Sequence, residues 1–235
     1  MEGRVVSDPL EELEKTAELL PAAAAGVKLG DRAKQKLERF ADVSRRELRL
    51  KALLELGSLL EGHKDSQLKT HVEKALDAAD EAADAMQEVD DEGSLEDAVS
   101  EYQAFVQALG MLEVVVRALW TRTIDQQFAP LRSVGALLEA FPNARELGKR
   151  MVNAAESAQK YAQTPVVDLP AIVEDLFLQR SELLEEQQVM AGDPKVSAFL
   201  QALADDRATL DLLHEEVLQW LEGQGALSSL KVSPV

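Results

Sequence analysis

Apolar residues recur at intervals of seven along most of this 235-residue chain. Two such rows share one segment: Tyr102, Leu109 and Val116, and then Phe105, Leu112 and Leu119. This spacing places both rows on one side of an α-helix, as in coiled coils. Isoleucine, which favours strands, occurs only at Ile124 and Ile172. The pattern predicts an all-α protein, an elongated multi-helix bundle with coiled-coil-like antiparallel helical hairpins.

Proline, glycine and capping residues divide this pattern into about seven predicted helices. They run over about 9–20, 31–61, 66–89, 94–128 with a continuation over 131–141, 144–161, a stretch ending at 191, and 194–222. Asp65 or Ser66 is expected to cap the third helix, and Ser94 the fourth. Pro130 lacks an N–H group, so we expect it to kink or break the fourth helix.

Two prolines, Pro165 and Pro170, mark the strongest candidate for a domain boundary. The predicted organisation is an N-terminal helical bundle over 1–163 and a C-terminal helical hairpin over 164–222 that packs on it or is hinged to it. Residues 223–235 show no helical pattern and are predicted to form a flexible tail, with a docking peptide as the alternative. The last predicted helix carries a heptad row of its own: Val196, Leu203, Leu210 and Val217.

Acidic residues outnumber basic ones by 43 to 25, which gives a formal net charge of −18. The charges form blocks: residues 28–51 hold nine basic and four acidic side chains, and residues 61–101 hold fourteen acidic and three basic ones. We expect the basic stretch from Arg39 to Lys51, which includes Arg45 and Arg46, to pair with the acidic helix from Glu73 to Glu88 inside the monomer. The alternative is that the basic stretch, with Arg49, is an interaction surface that contacts phosphates or a protein.

Each partial match to a catalytic or metal-binding motif in this sequence lacks a residue that the motif requires. The chain has no cysteine, which excludes disulfides, thiolate zinc sites and cysteine nucleophiles. A glutamate-rich segment after His214 has Leu218 where a zinc-binding helix needs its second histidine. A calcium-loop-like stretch over 88–99 ends in Val99 instead of a bidentate glutamate. We therefore expect no catalytic residue, no cofactor, no metal site and no enzymatic activity.

Membrane insertion is the other reading of the apolar segment over 104–120. Gln107, Glu113 and Arg117 interrupt that segment, so we expect it to be the core of a bundle. The first eight residues lack the apolar run of a secretory signal. These features predict a soluble, cytoplasmic protein.

The function expected from these patterns is that of a non-catalytic helical adaptor or structural subunit, which mediates protein–protein interaction within a larger complex. Its partners would be other protein chains or a second copy of itself, with neither nucleic acid nor membrane expected. The candidate interaction residues are Val196, Leu203, Leu210 and Val217, and also Arg45, Arg46 and Arg49. The alternative is a membrane- or nucleic-acid-associated helical protein that uses the basic helix 28–51, and a third reading is a metal- or small-ligand-binding bundle.

Overall fold

The regular structure of this chain is helical wherever it is described. The computed structural model describes residues 38–60, 65–205 and 207–226, and no strand occurs in these ranges. The predicted all-α class and multi-helix bundle are confirmed. The predicted first helix, over 9–20, lies outside the described residues, as do residues 31–37 of the second and the segment beyond 226.

Eight α-helices follow one another in the described ranges. They are α1 (Val43–Leu59), α2 (Ser66–Gln87), α3 (Glu92–Thr123), α4 (Ala129–Glu139), α5 (Arg145–Tyr161), α6 (Leu169–Ala191), α7 (Pro194–Ala204) and α8 (Glu215–Gly223). A π-helical segment, Ile124–Phe128, joins α3 to α4. Short 3-10 turns occur at Glu38–Phe40, Val166–Asp168 and Leu210–Leu212. The turn Glu38–Phe40 stands where the sequence predicts a helix, so α1 begins later than expected.

The described residues form two compact units. The first comprises the described residues up to Leu119 together with Pro165–Pro170. The second comprises Trp120–Thr164 together with the described residues from Ala171 onward. The predicted division into 1–163, 164–222 and 223–235 stays a prediction.

Helices α1, α2 and α3 supply the core of the first unit. The two predicted heptad rows of α3 are both buried: Tyr102, Phe105, Leu109, Leu112, Val116 and Leu119. Alanines line the buried face of α2, at Ala75, Ala79 and Ala82. The carboxylate of Asp65 accepts hydrogen bonds from the backbone N–H groups of Gln67 and Leu68, which confirms the predicted cap of α2.

The start of α3 differs from the sequence prediction by two residues. Its first residue is Glu92, and Ser94 lies inside the first turn. Asp91 is the capping residue, because its carboxylate accepts a hydrogen bond of 2.8 Å from the Ser94 backbone N–H. The Ser94 hydroxyl oxygen in turn accepts from the Asp91 N–H at 3.0 Å. This exchange resembles a capping box with the usual residue types reversed.

Pro130 does not end the helical run, so the predicted break does not occur, while the alternative, a kink, stays a prediction. The π-helical turn before it is one residue wider than an α-helical turn, and the Ala129 N–H donates to the Ile124 carbonyl. The Gln127 carbonyl accepts a hydrogen bond of 3.1 Å from Arg180 Nε of α6. A side chain of α6 therefore donates a hydrogen bond to the π-helical segment that precedes Pro130.

The predicted helix over 194–222 is also wrong, because α7 ends at Ala204 and α8 begins at Glu215. The break begins where the Arg207 backbone N–H bonds to the Ala202 carbonyl at 2.7 Å, a contact that closes the end of α7. Helix α8 packs back against α7, and Lys195 forms an ion pair with Glu216. Folding back buries the apolar faces of both short helices, which a single straight helix would leave unpaired.

Candidate interaction surfaces

The basic residues of α1 lie in a hydrogen-bonded cluster in the first unit. Arg46 forms an ion pair of 2.6 Å with Asp42, and its guanidinium carbon lies 5.9 Å from the centre of the Tyr102 ring. The Tyr102 hydroxyl donates to the same Asp42 carboxylate at 2.6 Å. Asp42 thus joins the start of α1 to α3 through one phenol and one guanidinium group.

The pKa values of Tyr102 and Asp42 are shifted in opposite directions. Burial, and then the hydrogen bond to the Asp42 carboxylate, raise the pKa of Tyr102 far above its ordinary value. Burial alone would raise the pKa of Asp42, but the hydrogen bonds from Tyr102 and Arg46 and the Arg46 charge lower it overall. At neutral pH the cluster therefore holds an ionised carboxylate and a protonated phenol.

A second cluster joins α1 to α3 through Glu113. Its Oε1 accepts a hydrogen bond of 2.7 Å from Arg117 Nε, and its Oε2 accepts one of 2.7 Å from Arg49 Nε. Partial burial alone would raise the pKa of the Glu113 carboxyl, but the hydrogen bonds and charges of these two arginines hold that pKa below its ordinary value. Two positive charges thus share one half-buried carboxylate.

These contacts change the expected role of the basic stretch. Arg46 and Arg49 pair inside the chain, but with Asp42 and Glu113, so for these two arginines the predicted partner, the acidic helix 73–88, is wrong. For the rest of the stretch, the pairing stays a prediction. Arg45 is exposed, and no described residue forms an ion pair with it. Of the three predicted arginines, Arg45 is thus the one without an ion-pair partner among the described residues.

The four apolar candidates of the C-terminal helices do not form a single surface. Val196 of α7 and Val217 of α8 are buried in the second unit, and Leu203 is half-buried. Leu210 lies in the 3-10 turn between the helices and is 65% exposed. The four residues share one face only if residues 194–222 form a single straight helix. The break between α7 and α8 therefore separates them. Their part in partner binding stays a prediction.

Helix α3 has an exposed face that the sequence analysis did not predict. Between residues 104 and 118 every exposed position is uncharged: Ala104, Gln107, Met111, Val114 and Ala118. Met111 is 55% exposed and Val114 is 63% exposed. We call these five residues the α3 stripe. Periodicity alone does not separate the two faces of α3, because so many of its positions are apolar.

Helix length and composition also bear on this region. The continuous helical run Glu92–Glu139 contains an 18-residue window with a mean hydropathy of 1.4, which meets the criterion for a membrane-crossing helix. Only 33% of that window is buried. The core helix of a soluble protein meets the same criterion, so length and composition alone do not distinguish the two.

A groove in the second unit lies between the beginning of α5 and the end of α6. Its volume is about 610 Å³, and it is lined by Asn143, Ala144, Leu147, Glu182, Glu185, Glu186, Val189 and Met190. Val189 is 83% exposed, which makes it the most exposed large apolar side chain of the described residues. Arg150 pairs with Glu186 at 2.7 Å. We call this the α5–α6 groove; it combines an apolar surface with a negatively charged wall.

Helix α8 is held beside this groove by two side-chain hydrogen bonds. Trp220 Nε1 donates to the Met190 carbonyl at 2.9 Å, and Asn143 Nδ2 donates to the Gly223 carbonyl at 2.9 Å. The Trp220 ring also meets Phe141 edge to face, with ring centres 5.9 Å apart. Met190 and Asn143 line the groove, so the last described helix is fixed at its edge.

Within the described ranges, no group of three or more histidine, aspartate or glutamate side chains converges in a way that could hold a metal ion. Comparison with known proteins adds no functional assignment: no family model, curated protein or solved structure matches this chain. The surfaces themselves therefore carry the functional argument.

Proposed function

We propose that this chain is a non-catalytic helical adaptor or structural subunit, and that it binds another protein chain through the α3 stripe. The observation that supports the proposal is the exposure of Met111 and Val114 at the centre of an uncharged helix face. Large apolar side chains that lie together on a surface are typical of interaction sites. The half-buried charges of Glu113 and Arg117 are satisfied by each other and by Arg49, so they do not oppose an apolar partner.

The shape of the stripe favours a helical partner. Residues 104–118 extend over about 21 Å at ~1.5 Å per residue. An amphipathic helix of similar length covers such a face with apolar residues at intervals of three and four. Small residues at both ends, Ala104 and Ala118, allow the partner's backbone to approach closely.

The experiment compares two double variants of the full chain. Met111→Glu with Val114→Glu places two charges on the stripe, whereas Leu178→Glu with Leu218→Glu places two charges on exposed apolar positions of the second unit. Native mass measurement and quantitative affinity capture are applied to both variants and to the unmodified protein. We expect the stripe variant alone to lose partner or self-association, with its helix content unchanged. Equal association by all three proteins would contradict the proposal.

Membrane association is the second candidate, and the hydropathy of the run Glu92–Glu139 favours it. Sedimentation with neutral phosphatidylcholine vesicles tests it directly. Binding to vesicles that the stripe variant loses would favour the membrane. Retention in the supernatant, together with association in solution, would favour a protein partner. Nucleic-acid binding has less support, because Arg46 and Arg49 are already paired inside the chain.

A further inference from the structure

Gly110 lies in the middle of α3, where no other described residue packs against it. A Cβ atom at Gly110 would have no neighbour within 4 Å among the described residues. The other glycines away from the ends of described helices do have neighbours: the nearest atom would be 3.1 Å away at Gly57, 2.8 Å at Gly135 and 2.6 Å at Gly148. Glycine weakens a helix interior relative to alanine. No contact among the described residues offsets that loss at position 110.

Gly110 stands at the edge of the α3 stripe. It directly precedes Met111, and it lies three residues after Gln107 and four before Val114. These spacings place it on the same side of the helix as both residues. A missing side chain at this position allows another backbone to approach closely. Gly110 and the exposed Met111 and Val114 therefore indicate a tightly packed contact with a second chain.

We propose that the partner of the α3 stripe is a second copy of this chain, whose α3 packs antiparallel to the first. This inference rests on the proposed function and identifies the partner. The spacing of the stripe is symmetric, because the small residues Ala104 and Ala118 each lie seven positions from Met111. A two-fold axis at Met111 therefore places small residues opposite small residues, as an interface between identical surfaces requires.

The charges beyond the two ends of the stripe favour the antiparallel orientation. Glu101, which is half-buried, lies ten residues before Met111, and the exposed Arg122 lies eleven residues after it. Both belong to the single helix α3. With the two Met111 residues opposite each other, Glu101 of each copy lies beside Arg122 of the other. A parallel pair would instead place like charges together, which opposes association.

The surface between these two charges suits contact between copies of an acidic chain. Each copy has a formal net charge of −18, so two copies repel each other at long range. A contact without charges adds no further repulsion where the two surfaces meet. All exposed positions between Glu101 and Arg122 are uncharged: Gln103, Ala104, Gln107, Met111, Val114, Ala118 and Thr121.

Sedimentation equilibrium of the purified full chain, with no other protein present, tests the charge pairing. We expect the unmodified chain to form a reversible dimer. Glu101→Arg and Arg122→Glu should each weaken that dimer several-fold at low salt, because each variant places like charges together. The two changes combined restore opposite charges, so the double variant should dimerise as the unmodified chain does. The matched control, Lys160→Glu with Glu174→Arg, reverses two exposed charges outside α3 and should leave the dimer unchanged.

Gly110→Ala separates the stability of the fold from the stability of the dimer. We expect it to weaken dimerisation at least tenfold, because a methyl group on each copy would hold the two helices apart. The same change should raise the melting temperature at a protein concentration where both chains are monomeric, since alanine favours the helix. A dimer of unchanged affinity would show that Gly110 is not at the contact and would overturn the inference.

Other outcomes would also overturn the inference. A chain that stays monomeric at every concentration would exclude the second copy as partner. The proposed function would survive that result if the unmodified chain, but not its Met111→Glu and Val114→Glu variant, still bound a different protein. A dimer that persists in that variant, or a double charge reversal that fails to restore association, would show that two copies meet through another surface or in another orientation.

Discussion

Gly148 of α5 lies directly against Gly135 of α4, so that a Cβ atom at Gly148 would be 2.6 Å from the Gly135 carbonyl oxygen. The reverse substitution also meets atoms, because a Cβ at Gly135 would be 2.8 Å from the Met151 Cβ. Arg132 and Glu156 form an ion pair of 3.7 Å farther along the same two helices, which shows that they run antiparallel. The two glycines therefore set the distance between α4 and α5.

Gly148→Ala is expected to destabilise the protein by about 1–3 kcal/mol, because the atoms it meets are backbone atoms that do not move aside. Gly110→Ala is the matched control. Its Cβ would have no neighbour within 4 Å, so it should stabilise α3 by up to about 1 kcal/mol. Urea unfolding measures both changes. A neutral Gly148→Ala would show that the helices separate without cost.

Leu112→Ala is expected to cost about 2–5 kcal/mol, since Leu112 is completely buried in the first unit. Val114→Ala, two residues along the same helix, should change the free energy of unfolding by less than about 0.5 kcal/mol. The pair reports which side of α3 faces the core. Similar losses in both variants would mean that the α3 stripe is covered.

Glu113→Gln tests the pH dependence of the cluster formed by Arg49, Glu113 and Arg117. The folded-state pKa of Glu113 lies below its ordinary value of 4.5, so the stability it contributes is present above that value and is lost as pH falls through the lowered pKa. The variant should be less stable than the unmodified protein by about 1–3 kcal/mol at pH 7. The difference should shrink as pH falls below 4.5. Urea titrations over that range would refute the cluster's role if the difference stayed constant.

Arg46→Glu is expected to destabilise the protein by about 1–3 kcal/mol, because it replaces the partner of Asp42 with a like charge. Arg45→Glu is the control, with an expected change of less than about 0.5 kcal/mol, since Arg45 is exposed. Thermal unfolding compares the two. Equal melting temperatures would indicate that the Asp42–Arg46–Tyr102 contacts add no net stability.

Arg180→Ala removes the donor to the Gln127 carbonyl in the π-helical segment and should cost about 1–3 kcal/mol. Phe128, the last residue of that segment, also stacks on Phe177 of α6, with ring centres 6.1 Å apart. Both contacts therefore depend on the position of α6 beside the π-helical segment. Arg132→Ala removes an exposed arginine from α4 and should cost at most about 1 kcal/mol. If the two losses were equal, the carbonyl would have another donor, such as water.

Sequence features that act over a few residues, such as capping residues and heptad spacing, predicted the local structure well. The capping role of Asp65 and the burial of both heptad rows of α3 follow from residue type and spacing alone. The single straight helix expected over 194–222 does not form, and at Pro130 the helical run continues without the break that was one of the two predicted outcomes. At both places a group distant in the sequence takes part: Arg180 donates to the Gln127 carbonyl in the π-helical turn, and α8 packs against α7.

The sequence by itself determined the class of this protein, because helical periodicity, capping residues and the scarcity of strand formers all act within a few residues of one another. Tertiary structure decided which sides of the helices are exposed. Met111 and Val114 have the same apolar character as the buried residues of α3, and only the arrangement of α1 and α2 around that helix leaves them uncovered. It also decided the partners of the charges, since Arg49 and Glu113 are 64 residues apart in the sequence. Such pairings depend on how helices pack, which the local pattern of a sequence does not encode.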